Sequence, residues 1–359
     1  MPVPHTLIIA EAGVNHNGSI DVAKALIDAA AYAGADIVKF QSFDADALAT
    51  DAAARAQYQI DNLGEDGSQR EMLRKLQLDD AGHQTLFEHC RSRNIGFLST
   101  AFDFASFDML NRFDMPYIKI PSGDLTFGPM LLAAGRTGKH IILSTGMATL
   151  EEIADALAVL VFGMLRGGDP DSLSAMRTLA LGDDAHEILS RRVTILHCVT
   201  QYPCPPAFVN LAAMATIADR FGLPVGYSDH SLGIAIPIAA VARGAVIIEK
   251  HLTLDRSLPG PDHIASLEPD EFSAMVAGIR EVELAIGFGG KNPTDTEMSN
   301  RLVARRSLVA AKDITNGDTI LPGMIAAKRP GTGITPMSYW DVIGTRAHQT
   351  FSTDDLIAS

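Results

Sequence analysis
The chain has 359 residues, of which 47% are hydrophobic and 20% charged, with a net charge of −14. That is too long for one small core and suits one large domain with a small companion. An acidic surface repels nucleic acid and anionic membranes as a whole, so an anionic ligand needs a local pocket of Lys and Arg.

Three irregularly placed cysteines, Cys90, Cys198 and Cys204, make neither a disulfide framework nor a zinc pattern and point to a reducing, cytoplasmic setting. The N-terminal stretch MPVPHTLIIAEAG lacks the basic region and apolar run of a signal peptide. No window reaches the roughly 18 uninterrupted apolar residues of a membrane span.

In chain order, a short apolar run closing on polar residues (7–13) is followed by a helical pattern at 19–34 and a second run at 35–42. Residues 44–70, rich in Ala, Asp and Gln, are long for a connection and read as an excursion or an extra helix. A helix at 79–93 leads to a run at 95–100, then runs at 116–123 and 140–146. A helix at 149–163 and a second excursion at 166–190 precede the run at 193–202. A helix at 210–222, a run at 223–230, an apolar crossover, a run at 245–251 and a helix at 268–287 complete the alternation.

Near-continuous apolar strands alternating with helices imply parallel strands with right-handed crossovers. Eight of them favour a closed (β/α)8 TIM barrel, with a doubly wound open sheet as the alternative. The barrel is assigned to 1–289, a polar linker to 290–306, and a small, mostly β domain to 307–359, where Gly and Pro split the short runs.

In such a barrel the C-terminal strand ends build the active site. Here those ends carry Glu11, Asn15 and His16; Lys39 and Gln41; Ser99 and Thr100; Lys119 and Ser122; and Ser144 and Thr145. The last three carry His197, Thr200, Gln201 and Tyr202; Ser228, Asp229 and His230; and Glu249 and His251.

A strand lysine by itself can snorkel to the rim or pair with an acid. Two of them, Lys39 and Lys119, beside hydroxyl donors read as an anion site. A single strand-end histidine is usually a satisfied polar residue. His230 and His251 end adjacent strands, roughly 4.8 Å apart, and two neutral imidazoles there suit a divalent ion such as Mn2+. Glu249 shares a strand face with His251 and is placed to bind through water or orient a ligand.

The segments IAEAGVNHNG, VKFQ, YIKIPSGD, STGMATLEEI, HCVTQYP, GYSDHS, IIEKHLTLDRSLPGPDH and KRPGTGI together resemble the sialic acid synthase family. The C-terminal segment is similar to that family's antifreeze-like SAF domain. The resemblance implies a phosphoenolpyruvate-dependent C–C bond-forming transferase. It would condense phosphoenolpyruvate with an N-acylated amino sugar to give a nine-carbon 2-keto acid and phosphate.

N-acetylmannosamine is the expected acceptor, with a 2,4-diacetamido-6-deoxy sugar, giving legionaminate or pseudaminate, as the alternative. A 3-deoxy-ulosonate phosphate synthase and a non-catalytic sugar- or ice-binding protein are the other readings. The resemblance also implies Mn2+, with Mg2+ or Co2+ as substitutes, and a domain-swapped homodimer.

By resemblance, His230 and His251 are metal ligands, Glu11 is the catalytic glutamate, and Glu249 is the acid beside the metal. Lys39, Lys119, Thr100, Ser122 and Ser228 match the phosphoenolpyruvate cradle, with Ser144 grouped beside them. Gln41, Tyr202 and Asp262 match sugar contacts, Thr200 stands where the family also carries Asn, and Arg329 matches an arginine reaching the N-acyl group across the dimer.

Overall fold
Eight parallel strands carry the first part of the chain. The computed structural model describes residues 5–64, 66–287 and 289–358, so the first four residues of the N-terminal stretch lie outside the described residues. By chain contacts it divides into one unit at 1–287 and a second at 288–359.

The first unit begins β1 Leu7–Gly13, α1 Ile20–Tyr32 and β2 Ile37–Ser42. Three helices, α2 Ala45–Leu48, α3 Gln57–Leu63 and α4 Gln69–Leu76, form the excursion, which runs past the expected 44–70 to Leu76. Then come α5 Asp80–Arg93, β3 Gly96–Ala101, α6 Phe104–Leu110, β4 Tyr117–Ile120, α7 Gly128–Arg136, β5 His140–Ser144 and α8 Leu150–Leu165. The second excursion is the helix pair α9 Leu173–Ala180 and α10 Asp183–Arg192. The unit closes with β6 Val193–Cys198, α11 Pro206–Val209, α12 Ala213–Phe221, β7 Val225–Asp229, α13 Ala235–Ala242, β8 Ile247–His251 and α14 Pro269–Ile286.

The hydrogen-bonded order is β3-β2-β1-β8-β7-β6-β5-β4. β3 and β4, the two ends of that order, pack against each other, so the sheet is a nearly closed TIM barrel. The open-sheet alternative fails because β1 pairs with β8 as well as with β2. The core includes the apolar layer between strands and helices, with Ile8, Val38, Ile141, Ile195 and Ile248 all fully buried.

α6 and α7 have no counterpart among the expected helices. α6 is seven residues capped by Asp103, whose side chain accepts from the Ser106 amide. α7 approaches α8 through glycines: a Cβ on Gly135 would stand 2.5 Å from the Leu160 carbonyl oxygen, and one on Gly163 2.6 Å from that of Leu132. Only the absence of both side chains permits that spacing. α8 is apolar nearly all round because α7 and the excursion helices α9 and α10 pack on it. The second excursion therefore covers α8.

Period-two alternation sends neighbouring strand residues to opposite sides of the wall. On β7 and β8 the outward pair is Asp229 and Lys250, joined at 2.7 Å with both side chains fully buried. Asp229 also accepts from the Tyr227 and Ser231 hydroxyls, at 3.0 and 2.7 Å.

In the second unit, α15 Asp295–Ala304 precedes the antiparallel pair β9 Ser307–Ala310 and β10 Ile325–Lys328, followed by the short α16 Tyr339–Val342. Leu308, Ile314, Ile325 and Phe351 anchor its own small core. The segment read as a polar linker, 290–306, contains this helix, started by a Thr294–Glu297 capping box and burying none of its residues.

Removing one partner of the Asp229–Lys250 pair strands the other charge in the wall. Lys250→Met is expected to destabilise the protein by about 3–5 kcal/mol, and the double change Asp229→Asn/Lys250→Met to recover most of that. Urea denaturation of the three proteins measures it; equal losses in the single and double variants would contradict the pair's role.

Candidate active site
Strand register assembles the site before any side chain is considered. Glu11 lies opposite Lys39 on β2 and opposite His251 on β8, and Ser228 on β7 lies opposite Glu249. The inward residues of these strands line a cavity of about 370 Å³ at the C-terminal mouth. Glu11, Lys39, Gln41, Thr100, Lys119 and Ser122 reach it, as do Ser144, Thr200, Tyr202, Ser228, His230, Glu249, His251 and Asp262. Every barrel residue expected in the site is thus brought together; Arg329 belongs to the second unit and is exposed.

The other strand-end residues turn elsewhere. Ser99 faces outward, 2.7 Å from the Ser42 hydroxyl, which lies 2.6 Å from His83 Nε2. Thr145 donates to the Leu196 carbonyl, and the His197 ring meets that of Val209. Asn15 donates to the Leu252 carbonyl and the Ser266 hydroxyl, which ties the loop after β1 to the loop after β8. His16 is fully buried, and Gln201 is exposed outside the cavity lining. These are the alternate residues of each strand or the turns just beyond it.

Four charges form the cavity floor. Lys39 Nζ lies 2.7 Å from Glu11 Oε2 and 3.5 Å from Glu249 Oε2, and Lys119 Nζ lies 3.4 Å from Glu249 Oε1. Lys119 donates to the Ser144 hydroxyl at 2.9 Å, Gln41 to Glu11 Oε1 at 3.1 Å, and Ser228 to Glu249 at 3.1 Å.

Burial opposes the charge on Glu249, but Lys119, Lys39 and the Ser228 hydroxyl outweigh it and hold the carboxyl at about 2. Burial raises Glu11 above the usual carboxylate range despite the opposing charge of Lys39. Lys39 is held above its ordinary value, since Glu11 and Glu249 overcome its desolvation, whereas burial lowers Lys119. Gly13, with φ of +51°, shapes the turn here: a Cβ on it would stand 3.2 Å from Glu11 Oε1 and 3.3 Å from Gln41 Nε2.

Beside this floor is a ring cluster. The His230 and His251 rings are 5.6 Å apart, and Tyr202 lies 4.0 Å from His230. Burial lowers His230 to about 4 and takes His251 well below its usual value, with the neighbouring His230 contributing to the latter. His230 Nδ1 lies 2.7 Å from the Val199 carbonyl, so it carries the hydrogen and leaves Nε2 a lone pair.

His251 Nδ1 is buried with no hydrogen-bond partner, and Asp262 lies 4.0 Å away. Two neutral imidazoles, one with an orphaned nitrogen, fit a divalent ion. Among the described residues no group of three or more His, Cys, Asp and Glu side chains would hold one. An ion here would therefore complete its shell with water or substrate oxygens.

Several lining residues escaped the sequence reading. Tyr58 and Gln59 on α3 and Gln69 on α4 come from the first excursion, and Asp124 and Met147 from strand-end turns. The Tyr58 ring lies 4.8 Å from that of Tyr202, an aromatic in a polar stretch whose partner is remote in sequence.

The chain matches the NeuB family over residues 26–291 and the SAF domain over 305–358. It belongs to the NeuB family. The N,N'-diacetyllegionaminic acid synthase of Campylobacter jejuni is 46% identical over 98% of both chains. The protein of the same description from Legionella pneumophila is 42% identical over 96% of this chain and 91% of its own.

The crystal structure of an N-acetylneuraminic acid synthetase from Leptospira borgpetersenii, in complex with citrate, superimposes with a TM-score of 0.66 at 31% identity, covering 82% of this chain and 90% of that one. The NeuB-family chain is accordingly a phosphoenolpyruvate-dependent transferase of nonulosonic acid synthesis. No helix among the described residues is long and apolar enough to cross a membrane.

Lys119→Met is expected to lower kcat/KM for phosphoenolpyruvate about 10- to 100-fold, the scale of one lost charge-assisted hydrogen bond. Steady-state kinetics at saturating sugar check it; an unchanged value would remove Lys119 from the anion site.

Proposed function
We propose that this NeuB-family enzyme condenses phosphoenolpyruvate with a 2,4-diacetamido-6-deoxy aldose to give N,N'-diacetyllegionaminic acid and phosphate. The supporting observation is the 46% identity, over 98% of both chains, to a protein described as that synthase. The N-acetylneuraminic acid synthetase of known structure stands at 31%. The weight therefore falls on the diacetamido alternative rather than on N-acetylmannosamine.

The floor is suited to phosphoenolpyruvate. Lys39 and Lys119, with Thr100, Ser122, Ser144 and Ser228, offer two cations and four hydroxyls to its phosphate and carboxylate. Glu249, held ionised, keeps the ammonium groups placed before substrate arrives.

In the reaction, carbon 3 of phosphoenolpyruvate attacks the sugar aldehyde carbon, and the aldehyde oxygen takes a proton to become a hydroxyl. Water adds to the cation at carbon 2 and loses a proton. The new hydroxyl at carbon 2 then gives its proton to the departing phosphate as the carbon–oxygen bond breaks and the 2-keto group forms. Glu11, fixed by Gln41 and Lys39, is the carboxylate placed to support the cation and handle the water proton. Tyr202, Gln41, Thr200 and Asp262, the last raised by burial to about 7, face the sugar.

A divalent ion such as Mn2+ on His230 and His251 would supply Lewis-acid polarisation of the aldehyde. Chelation is expected to abolish turnover and Mn2+ to restore it; full activity of metal-free enzyme would sink this assignment.

The working form is proposed to be a domain-swapped homodimer in the cytoplasm, where the free, buried Cys90, Cys198 and Cys204 stay reduced. In that form Arg329 of one copy contacts the N-acyl group in the other. Arg329→Ala should raise the sugar KM more than the phosphoenolpyruvate KM; the opposite pattern would refute the cap. Turnover of a 2,4-diacetamido-6-deoxy sugar at least about tenfold faster, as kcat/KM, than of N-acetylmannosamine tests the substrate; a reversed order would return the assignment to N-acetylmannosamine.

A further inference from the structure
One wall of the cavity is apolar. Val14, Phe43, Met72 and Leu76 form a buried cluster separate from the barrel core, with Leu48, Leu73 and Phe102 packed against it. The same side chains line the cavity, so this small core turns one face toward the substrate. It lies beyond β1, β2 and β3 and on the excursion helices α2 and α4, whereas Lys119, Ser122 and Ser144 come from the β4 and β5 side.

Hydrogen bonds and ion pairs link the elements that carry the wall. The Ala45 amide donates to Gln77 Oε1 at 3.1 Å, Arg74 on α4 donates to Asp46 on α2 at 3.1 Å, and Arg70 pairs with Asp51. Asn62 on α3 donates to the Pro261 carbonyl at 2.6 Å, which ties the excursion to the loop after β8.

Of the polar groups nearby, Gln59 accepts from the Ala56 amide at 2.9 Å and donates to the Tyr58 hydroxyl at 3.3 Å, and Gln69 lines the cavity one turn before Met72 and Leu73. A hydroxyl pressed against Leu48, Met72 and Leu73 would give up water and meet carbon, whereas a methyl group would gain by the same burial.

We propose that this wall, centred on Met72 and Leu73, selects the terminal carbon of the sugar, accepting a methyl and disfavouring a hydroxymethyl. This rests on the substrate reading above, in which the acceptor is a 6-deoxy sugar. A hydrophobic surface rejects an added hydroxyl only modestly, so the expected discrimination is about 10- to 100-fold in kcat/KM.

The test uses four synthetic mannose-series acceptors: hydroxyl or acetamido at carbon 4, combined with methyl or hydroxymethyl at carbon 6, all carrying acetamido at carbon 2. Wild-type enzyme is expected to prefer methyl about 10- to 100-fold with either group at carbon 4. Leu73→Gln, at a half-buried position, and Met72→Gln should each cut that ratio to about threefold or less. The phosphoenolpyruvate KM should move far less than the sugar's kcat/KM. Leu73→Ala, which adds no polar group, should keep more of the preference and controls for folding.

A wild-type ratio near one, or a ratio untouched by both Gln variants, overturns the wall. The carbon-4 comparison is independent: no gain from the acetamido group with the carbon-6 preference intact would defeat the proposed substrate and leave the wall standing. Turnover of none of the four would overturn both.

Discussion

Two lysines and two glutamates share the floor of this barrel, almost entirely out of water. Stranding any one of the four would cost several kcal/mol, so each constrains the placement of the other three. Lys39 bridges Glu11 and Glu249 at 2.7 and 3.5 Å, and Lys119 takes the other oxygen of Glu249 at 3.4 Å. The network is neutral as a set, which makes it tolerable inside a protein. In the proposed reaction, the phosphate and carboxylate of phosphoenolpyruvate would compete with Glu11 and Glu249 for the same two lysines. Two lysines can thus serve an anion inside a chain whose net charge is −14.

Most of this was legible from residue order. Strand ends showed because buried parallel strands read as unbroken apolar runs, and the polar residue that stops each run stands at the mouth. Barrel closure then made neighbours of residues far apart in the chain, so Glu11 came to lie between Lys39 and His251.

Other features were hidden for physical reasons. Whether Ser99 or Thr100 faces inward depends on strand phase, and both are polar. α6 and α7 are too short for a clear periodic pattern, and α7 is settled by its glycine contact with α8. Tyr58 and Met72 reach the cavity from an excursion whose composition resembles a solvated loop. α15 was read as linker because it buries nothing, although its Thr294–Glu297 box was visible in the sequence. Family membership came from motifs at the strand ends, and the preference for one acceptor over another came only from comparison with relatives.

The excursion between β2 and α5 divides labour with the barrel. The charged floor of the cavity stands on strands, while its apolar wall and Tyr58 stand largely on short helices of the excursion. Chemistry and acceptor choice can thus change separately, since repacking α2 and α4 leaves the register of β1, β2 and β8 untouched.

Consecutive positions on β7 and β8 serve unrelated ends. Ser228, His230, Glu249 and His251 face the cavity, while Asp229 and Lys250, one step along the same strands, hold the wall together from the other side. Errors at these neighbouring codons should therefore have opposite cellular fates. Replacing His230 or His251 on the inner row strands no buried charge, so such a change is expected to leave folded but impaired protein. Replacing Asp229 or Lys250 on the outer row strands its partner inside the wall, so that change is expected to show as lost protein before any lost chemistry.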